Sequence, residues 1–142
     1  MAFQSEPTIL MNQVAITKNG NNTADGSFRW VKCPGGEGFN FWYYATSAGA
    51  PNATIALDIT IFKPGLLIAG GSAIFDADYA TRNNYRTITL AAAGVITLDA
   101  WTHINTPAEL AYPFYAMRPR VTENDVAAIT AFDFAVSFNA MR

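Results

Sequence analysis

The chain has a single histidine and a single cysteine, and this limits the chemistry that its side chains can perform. His103 could serve as a general base, with Asp99 nearby in the sequence as the carboxylate that orients it. No Gly-x-Ser-x-Gly nucleophile elbow is present, and Cys33 is far from His103 along the chain. A structural zinc site needs four ligands, usually cysteines and histidines. We therefore predict no catalytic residue, no metal and no cofactor, with His103 as a hydrogen-bonded loop residue.

A polar segment at residues 76–84 carries two aspartates and two adjacent asparagines, whose oxygens are ligands that calcium accepts. The segment lacks the alternating Asp/Asn spacing and the distal glutamate of a calcium-binding loop. We interpret it as a solvated loop.

Aromatic residues are concentrated in the segment FNFWYYAT at residues 39–46, where six successive positions include five aromatic rings. In a strand, neighbouring side chains point to opposite faces, so Trp42 and Tyr44 lie on one face and Phe39, Phe41 and Tyr43 on the other. Either set could face the core. Exposed Trp42 and Tyr44 would stack on sugar rings or pack against another subunit. We favour the subunit contact.

Arg118 and Arg120 share one parity of the segment 114–122, and Pro119 between them indicates an edge strand or a bulge. Two arginines on the outward face of an edge strand are suited to ion pairs with a neighbouring subunit. A solvated face is the alternative.

The elements that must position these residues are short strands. The clearest is the segment AITAFDFAVSFN at residues 128–139, in which aromatic and aliphatic residues alternate with small or polar ones. Residues 54–62 alternate in the same way and predict Ile55, Leu57 and Ile59 inward, with Asp58 outward. Asn-Gly, Asp-Gly and Gly-Gly steps separate the strands and favour tight turns. The sequence predicts an all-β protein, an antiparallel β-sandwich of jelly-roll or immunoglobulin-like strand order.

One helical turn is predicted near residues 106–111, because Thr106, Pro107 and Glu109 form a capping box with proline at the first helical position. Residues 1–13 have weak alternation and a polar start. We predict an extended N-terminal arm over residues 1–13 and a single β-sandwich domain over residues 14–142.

Composition narrows the classes of function. Charged residues make up 14% of the chain and hydrophobic residues 51%, with a net charge of −2. Few charges and many aromatic rings argue against nucleic-acid binding and disorder. No apolar run approaches the ~20 residues that span a bilayer, and the start lacks the basic and apolar regions of a secretory signal. We expect no nucleic acid and no membrane partner, but a surface that is covered by other subunits.

Residues 101–139 resemble the closing hairpin of small virion proteins of tailed bacteriophages. The resemblance is carried by the proline–aromatic start, Arg118 on a strand, Val-Thr, the polar turn 123–125 and the alternating last strand. It implies a non-enzymatic structural protein made in the host cytoplasm and incorporated into the virion, such as a capsid decoration protein. Such proteins are often trimers with N-terminal arms over neighbouring subunits.

We therefore expect the major capsid protein or other virion proteins, and further copies of the chain, as partners. The expected interface residues are Trp42, Tyr44, Arg118 and Arg120, with Phe3 and Ile9 from the arm. A carbohydrate-binding or phage receptor-binding module is the alternative, with Trp42, Tyr44 and the 76–84 loop as its site.

Overall fold

The computed structural model describes residues 3–4, 7–22, 31–32, 39–60, 86–106 and 116–140. These residues form nine β-strands and no helix, which confirms the predicted all-β class. The strands are β1 (Phe3–Gln4), β2 (Thr8–Ile16), β3 (Val31–Lys32), β4 (Phe39–Thr46), β5 (Asn52–Thr60), β6 (Arg86–Val95), β7 (Thr102–Ile104), β8 (Ala116–Glu123) and β9 (Ile129–Ala140).

The first sheet has five strands in the order β1-β9-β4-β7, with β2 beside β1 on the same edge of β9. β9 lies in the interior of this sheet, between β2 and β4. Its pairing with β4 is regular over eight residue pairs, from Phe39↔Phe138 to Thr46↔Ala131. Both strands are rich in the aromatic and β-branched residues that favour a pleated, half-buried surface.

The second sheet has four strands in the order β3-β8-β5-β6. β8 pairs with β5 over eight residue pairs and with β3 at Val31↔Met117 and Lys32↔Ala116. All pairings in both sheets are antiparallel.

The pairings are nested, and this determines the topology. β5 pairs with β6, β4 with β7, β3 with β8, and β2 with β9. The chain therefore forms one long antiparallel ribbon, which coils so that β9 meets β4 and β8 meets β5. Successive strands from β2 to β5 and from β6 to β9 alternate between sheets. This is the strand order of a jelly roll, which the periodicity of the sequence could not distinguish from an immunoglobulin-like order.

The core lies between the two sheets, and the structure decides which face of β4 points into it. Phe132 and Phe134 of β9 are fully buried, and Phe41 and Tyr43 of β4 pack against them. The ring planes of Tyr43 and Phe132 lie 6° from parallel with centroids 5.6 Å apart. The four-stranded sheet contributes Ile55 and Leu57, among others, from the opposite side. Trp42 and Tyr44 consequently point away from the core, the orientation on which their predicted interface role depends.

The predicted N-terminal arm is part of the sheet. β1 and β2 pair with β9 along its length, so residues 3–4 and 8–13 form an edge strand rather than a separate arm. β2 is irregular: Met11 pairs with Phe134 but Val14 with Phe132, so three residues on β2 oppose two on β9. Gln13 has a φ of 51° in this bulge, and its N–H donates to Asp133 Oδ1 at 2.7 Å.

β8 is an interior strand, so the prediction of an edge strand at Pro119 is wrong. The β3 side of β8 is filled by a side chain at this point: Asn22, fully buried, donates to the Pro119 carbonyl at 2.9 Å and accepts from Val121 N–H at 2.9 Å. Backbone groups of residues 119 and 121 point to the same side of a strand. The N–H that proline lacks would therefore face the Asn22 side chain, where no ladder bond is lost.

Glu123 is the last residue of β8, and its side chain joins the turn after β2 to the turn before β9. Its carboxylate is buried and accepts hydrogen bonds from the backbone N–H groups of Asn19 at 2.7 Å, Val126 at 2.7 Å and Ala127 at 2.8 Å. Burial raises the pKa of Glu123, but these backbone hydrogen bonds outweigh it and lower the pKa from 4.5 to about 2. The carboxylate therefore remains ionised inside the protein.

The predicted helical turn at 106–111 lies, apart from Thr106, outside the described residues. The Thr106 hydroxyl donates to the Phe39 carbonyl at 2.5 Å. The 76–84 loop, Cys33 and Glu109 also lie outside them.

Candidate functional site

Aromatic side chains on the outward surface of the five-stranded sheet form what we call the aromatic face. It comprises Trp42 and Tyr44 of β4, Trp101 just before β7, and His103 of β7, with Ile9 of β2 across the sheet. The imidazole of His103 meets the Trp42 ring edge-on, with centroids 4.8 Å apart and planes at 61°. Tyr44 contacts Trp101, with centroids 5.7 Å apart and planes at 58°.

Strand register explains why these residues meet. Ile9 pairs with Ala135, Ala135 with Trp42, and Trp42 with His103, so the four residues form one row across β2, β9, β4 and β7. Residues directly opposite in an antiparallel pair have Cβ atoms about 5 Å apart. The small Ala135 side chain stands between two large neighbours and leaves a depression in the row.

This depression is a cavity of about 390 Å³, which we call the tryptophan cavity. It is lined by Pro7, Ile9, Trp42, Trp101 and Ala135. Ile9 and Trp101 remain 50% and 51% exposed, so the walls of the cavity are apolar groups in contact with water. Isolated exposed apolar residues are ordinary, but a contiguous apolar surface around a depression indicates a binding site.

Asp133 lies at one end of the aromatic face. It is directly opposite Tyr44 in the β4–β9 register, on the same side of β9 as Ala135. Its carboxylate is partly exposed and accepts from Gln13 N–H. The Asp133 carboxylate thus lies on the aromatic face, beside its rings.

The predicted interface arginines lie elsewhere, on the outward side of the four-stranded sheet, and both contact a carboxylate of their own chain. Arg118 Nε is 2.9 Å and Arg120 Nη2 is 2.8 Å from Asp58 Oδ2. Thr87 Oγ1 also donates to Asp58 Oδ1 at 2.5 Å. Asp58 is fully buried, and the Arg118 side chain is 1% exposed against 26% for Arg120. Arg118 therefore has no exposed surface to offer a neighbouring subunit, because its side chain is buried against Asp58 of its own chain.

The structure brings together three of the other predicted interface residues but not the fourth. Trp42, Tyr44 and Ile9 all lie on the aromatic face: Trp42 and Tyr44 point outward from β4, and Ile9 reaches the same face because β2 pairs with β9. Phe3 is in β1, paired with Ala140. Trp101 and His103 were not among the predicted interface residues, because a three-residue strand such as β7 has no readable period. The signal available in the sequence was the Trp-x-His spacing, which places both side chains on one side of a strand.

His103 lies edge-on against the indole ring of Trp42. Within the described ranges, no group of three or more His, Cys, Asp or Glu side chains is placed to hold a metal ion. The same ranges contain no helix long and apolar enough to cross a membrane.

No protein-family model matches the chain, and no curated protein or solved structure is significantly similar to it.

Proposed function

We propose that this chain is a non-enzymatic structural protein of a virus particle, a capsid decoration protein that binds neighbouring capsid subunits and its own copies through the aromatic face. The observation that carries the proposal is the row Ile9–Ala135–Trp42–His103, an apolar and aromatic surface displayed on a rigid sheet. Tryptophan and tyrosine are enriched at the centres of protein interfaces, where a few buried rings supply most of the binding energy.

The fold supports the proposal by analogy only. Jelly rolls are frequent among viral capsid domains, but also among lectins, and a fold does not determine a function. The low charge content of the chain, 14%, agrees with a surface that is covered by partners in its working state.

Binding by this face would act through removal of apolar surface from water, at about 25 cal/mol per Å² less the cost of association. The internal ion pairs of Arg118 and Arg120 take no direct part, and we place the interface on the opposite side of the sandwich from them. The resemblance of residues 101–139 to phage virion proteins favours a trimer.

The experiment compares Ile9→Ser with Val126→Ser. Both side chains are half exposed, at 50% and 54%, but Val126 lies in the turn before β9, away from the aromatic face. Native mass is measured by sedimentation equilibrium over a concentration series, and retention on purified particles by co-sedimentation. We expect Ile9→Ser, but not Val126→Ser, to weaken one or both associations at least tenfold, as for a residue in an interface centre. A wild-type monomer that binds no particle at any concentration contradicts the proposal.

Carbohydrate binding is the second candidate, suggested by the volume and the two indole rings of the tryptophan cavity. A volume of about 390 Å³ is in the range of small-molecule sites, and indole rings stack on sugar rings. A glycan array probed with wild-type protein and Trp42→Ala distinguishes the two functions. A glycan signal that depends on Trp42 would support the lectin-like function, and silence at high protein concentration would exclude it.

A further inference from the structure

The charged residues around the tryptophan cavity indicate the charge of the group that binds there. The five strands that build the first sheet contain no lysine and no arginine, and Asp133 is their one acidic residue. The basic residues of the described ranges lie elsewhere. Lys18 pairs with Asp125 in the turn region, Arg118 and Arg120 pair with Asp58 on the other sheet, and Lys32 and Arg86 are in strands β3 and β6 of that sheet. The strands of this sheet thus present aromatic rings and the Asp133 carboxylate, and they contain no lysine or arginine.

We propose that the tryptophan cavity receives a cationic side chain of a partner protein, arginine in preference to lysine. This inference rests on the proposed function, because it names the group by which a partner engages the aromatic face. The faces of indole and phenol rings carry negative potential and attract cations. Asp133 adds a full negative charge two residues along β9 from the cavity floor at Ala135.

Arginine is the better fit for geometric reasons. The guanidinium group is planar and weakly hydrated, so it stacks on an indole ring and can make two parallel hydrogen bonds to a carboxylate. Asp133 has one oxygen engaged by the Gln13 N–H, and a carboxylate oxygen has more than one acceptor site. The lysine ammonium is a compact, strongly hydrated charge that gains less from an apolar wall.

The cavity lining argues against a sugar as the occupant. A carbohydrate site combines stacking rings with several convergent polar groups that fix the hydroxyls. The lining side chains supply two hydrogen-bond donors, the indole N–H groups of Trp42 and Trp101, and no acceptor.

The test uses propylguanidinium chloride and its neutral isostere propylurea as probes of the full chain. Binding is followed by the indole N–H signals in ¹H–¹⁵N spectra, with Trp42 and Trp101 assigned from Trp42→Phe and Trp101→Phe. We expect both signals to shift saturably, with propylguanidinium bound at least about fivefold more tightly than propylurea. Equal affinity for the two probes, or no shift by either, overturns the proposal.

Asp133→Asn and Asp125→Asn form the matched pair of variants. Each removes one negative charge, and asparagine retains the oxygen that accepts from Gln13 N–H at position 133 and tolerates the φ of 61° at position 125. We expect Asp133→Asn to weaken propylguanidinium binding about fivefold and Asp125→Asn to leave it unchanged. An equal effect of the two variants would show a diffuse charge effect and would refute a cation site. Trp101→Ala, in a half-exposed position, should abolish binding without unfolding the chain.

The outcomes separate this inference from the proposed function. If Ile9→Ser disrupts assembly while propylguanidinium binds no better than propylurea, the interface stands and the cation site is refuted. If propylguanidinium binds selectively but no assembly or particle association is found, the site stands and the structural function fails. Displacement of either probe by methyl glycosides, at lower concentration than by arginine amide, would overturn the inference in favour of a sugar.

Discussion

Replacing Glu123 by glutamine should destabilise the protein strongly at neutral pH and much less in acid. The carboxylate accepts from Asn19 N–H through one oxygen and from the N–H groups of Val126 and Ala127 through the other. Glutamine has the same shape but only one acceptor oxygen, so its amide NH₂ must face at least one of these donors. A buried donor left without an acceptor costs about 1–3 kcal/mol, and we expect a loss of about 2–4 kcal/mol in total.

The pH dependence follows from the lowered pKa. In the unfolded chain Glu123 binds a proton near pH 4.5, but in the folded protein only near pH 2. A group whose folded pKa is lower than its unfolded pKa stabilises the fold above the unfolded value, and this contribution is lost as the pH falls through the folded value. The lowering from 4.5 to about 2 corresponds to at most roughly 3 kcal/mol, at about 1.4 kcal/mol for each factor of ten. By pH 3 about 2 kcal/mol of this should be gone.

The assay is urea unfolding of wild type and Glu123→Gln, followed by circular dichroism between pH 7 and pH 3. The difference in unfolding free energy between the two proteins isolates Glu123 from the other carboxyl groups. We expect the difference to be constant above about pH 6 and to shrink by about 2 kcal/mol at pH 3. Asp125→Asn is the control, because its exposed pair with Lys18 at 3.7 Å should contribute less than about 1 kcal/mol. A difference that is the same at pH 7 and pH 3 would refute the assigned role of Glu123.

Three further substitutions test other parts of the fold by urea unfolding at pH 7. Asp58→Asn removes the buried carboxylate that the guanidinium groups of Arg118 and Arg120 contact, and we expect the free energy of unfolding to fall by about 3–5 kcal/mol. A fall of less than about 1 kcal/mol would show that these ion pairs do not stabilise the fold. Tyr43→Phe removes the hydroxyl that accepts from Thr97 N–H at 3.0 Å and should cost about 1–2 kcal/mol, whereas an unchanged midpoint would mean that water replaces it. Asn22→Ala removes the side chain that completes the β8 ladder beside Pro119 and should cost about 2–4 kcal/mol, and wild-type stability would contradict that account.

Side-chain parity was the part of the fold that could be predicted well. Because strand side chains alternate with a period of two, the segments 39–46 and 128–139 reveal which residues share a face. The structure places Phe134 in the core as expected, and it decides the open choice in β4 by burying Phe41. Parity does not reveal what covers the second face. Asp58 points outward from the core, yet it is fully buried, with the side chains of Arg118, Arg120 and Thr87 in contact with its carboxylate.

Which strands lie side by side depends on contacts between residues distant in sequence. This is why local patterns did not predict the neighbours of Pro119 and of residues 8–13. Pro119 indicated an edge strand, since proline cannot donate a ladder hydrogen bond, but the Asn22 side chain occupies that position from 97 residues away. Residues 8–13 were predicted as an arm because their spacing is irregular. The irregularity is the bulge at Gln13, which shifts the apolar positions from Met11 to Val14 and keeps the strand in the sheet.

The candidate site was partly predictable for the same reason. Outward parity identified Trp42 and Tyr44, but Ile9 and Trp101 complete the cavity from strands and loops whose register with β4 is not encoded in any local pattern.

The nested ribbon has a consequence for biosynthesis. β9 is the twelve-residue strand to which β1, β2 and β4 all bond, yet it is the last of the described strands to leave the ribosome. Until then β2 lacks the strand it pairs with, and β4 has only the three-residue β7 beside it. Folding by this route requires contacts between distant parts of the chain and is expected to be slow. Nascent chains that stop before residue 129 should therefore be held by chaperones or degraded, and a fusion at the C-terminal end would need a spacer that lets β9 pair first.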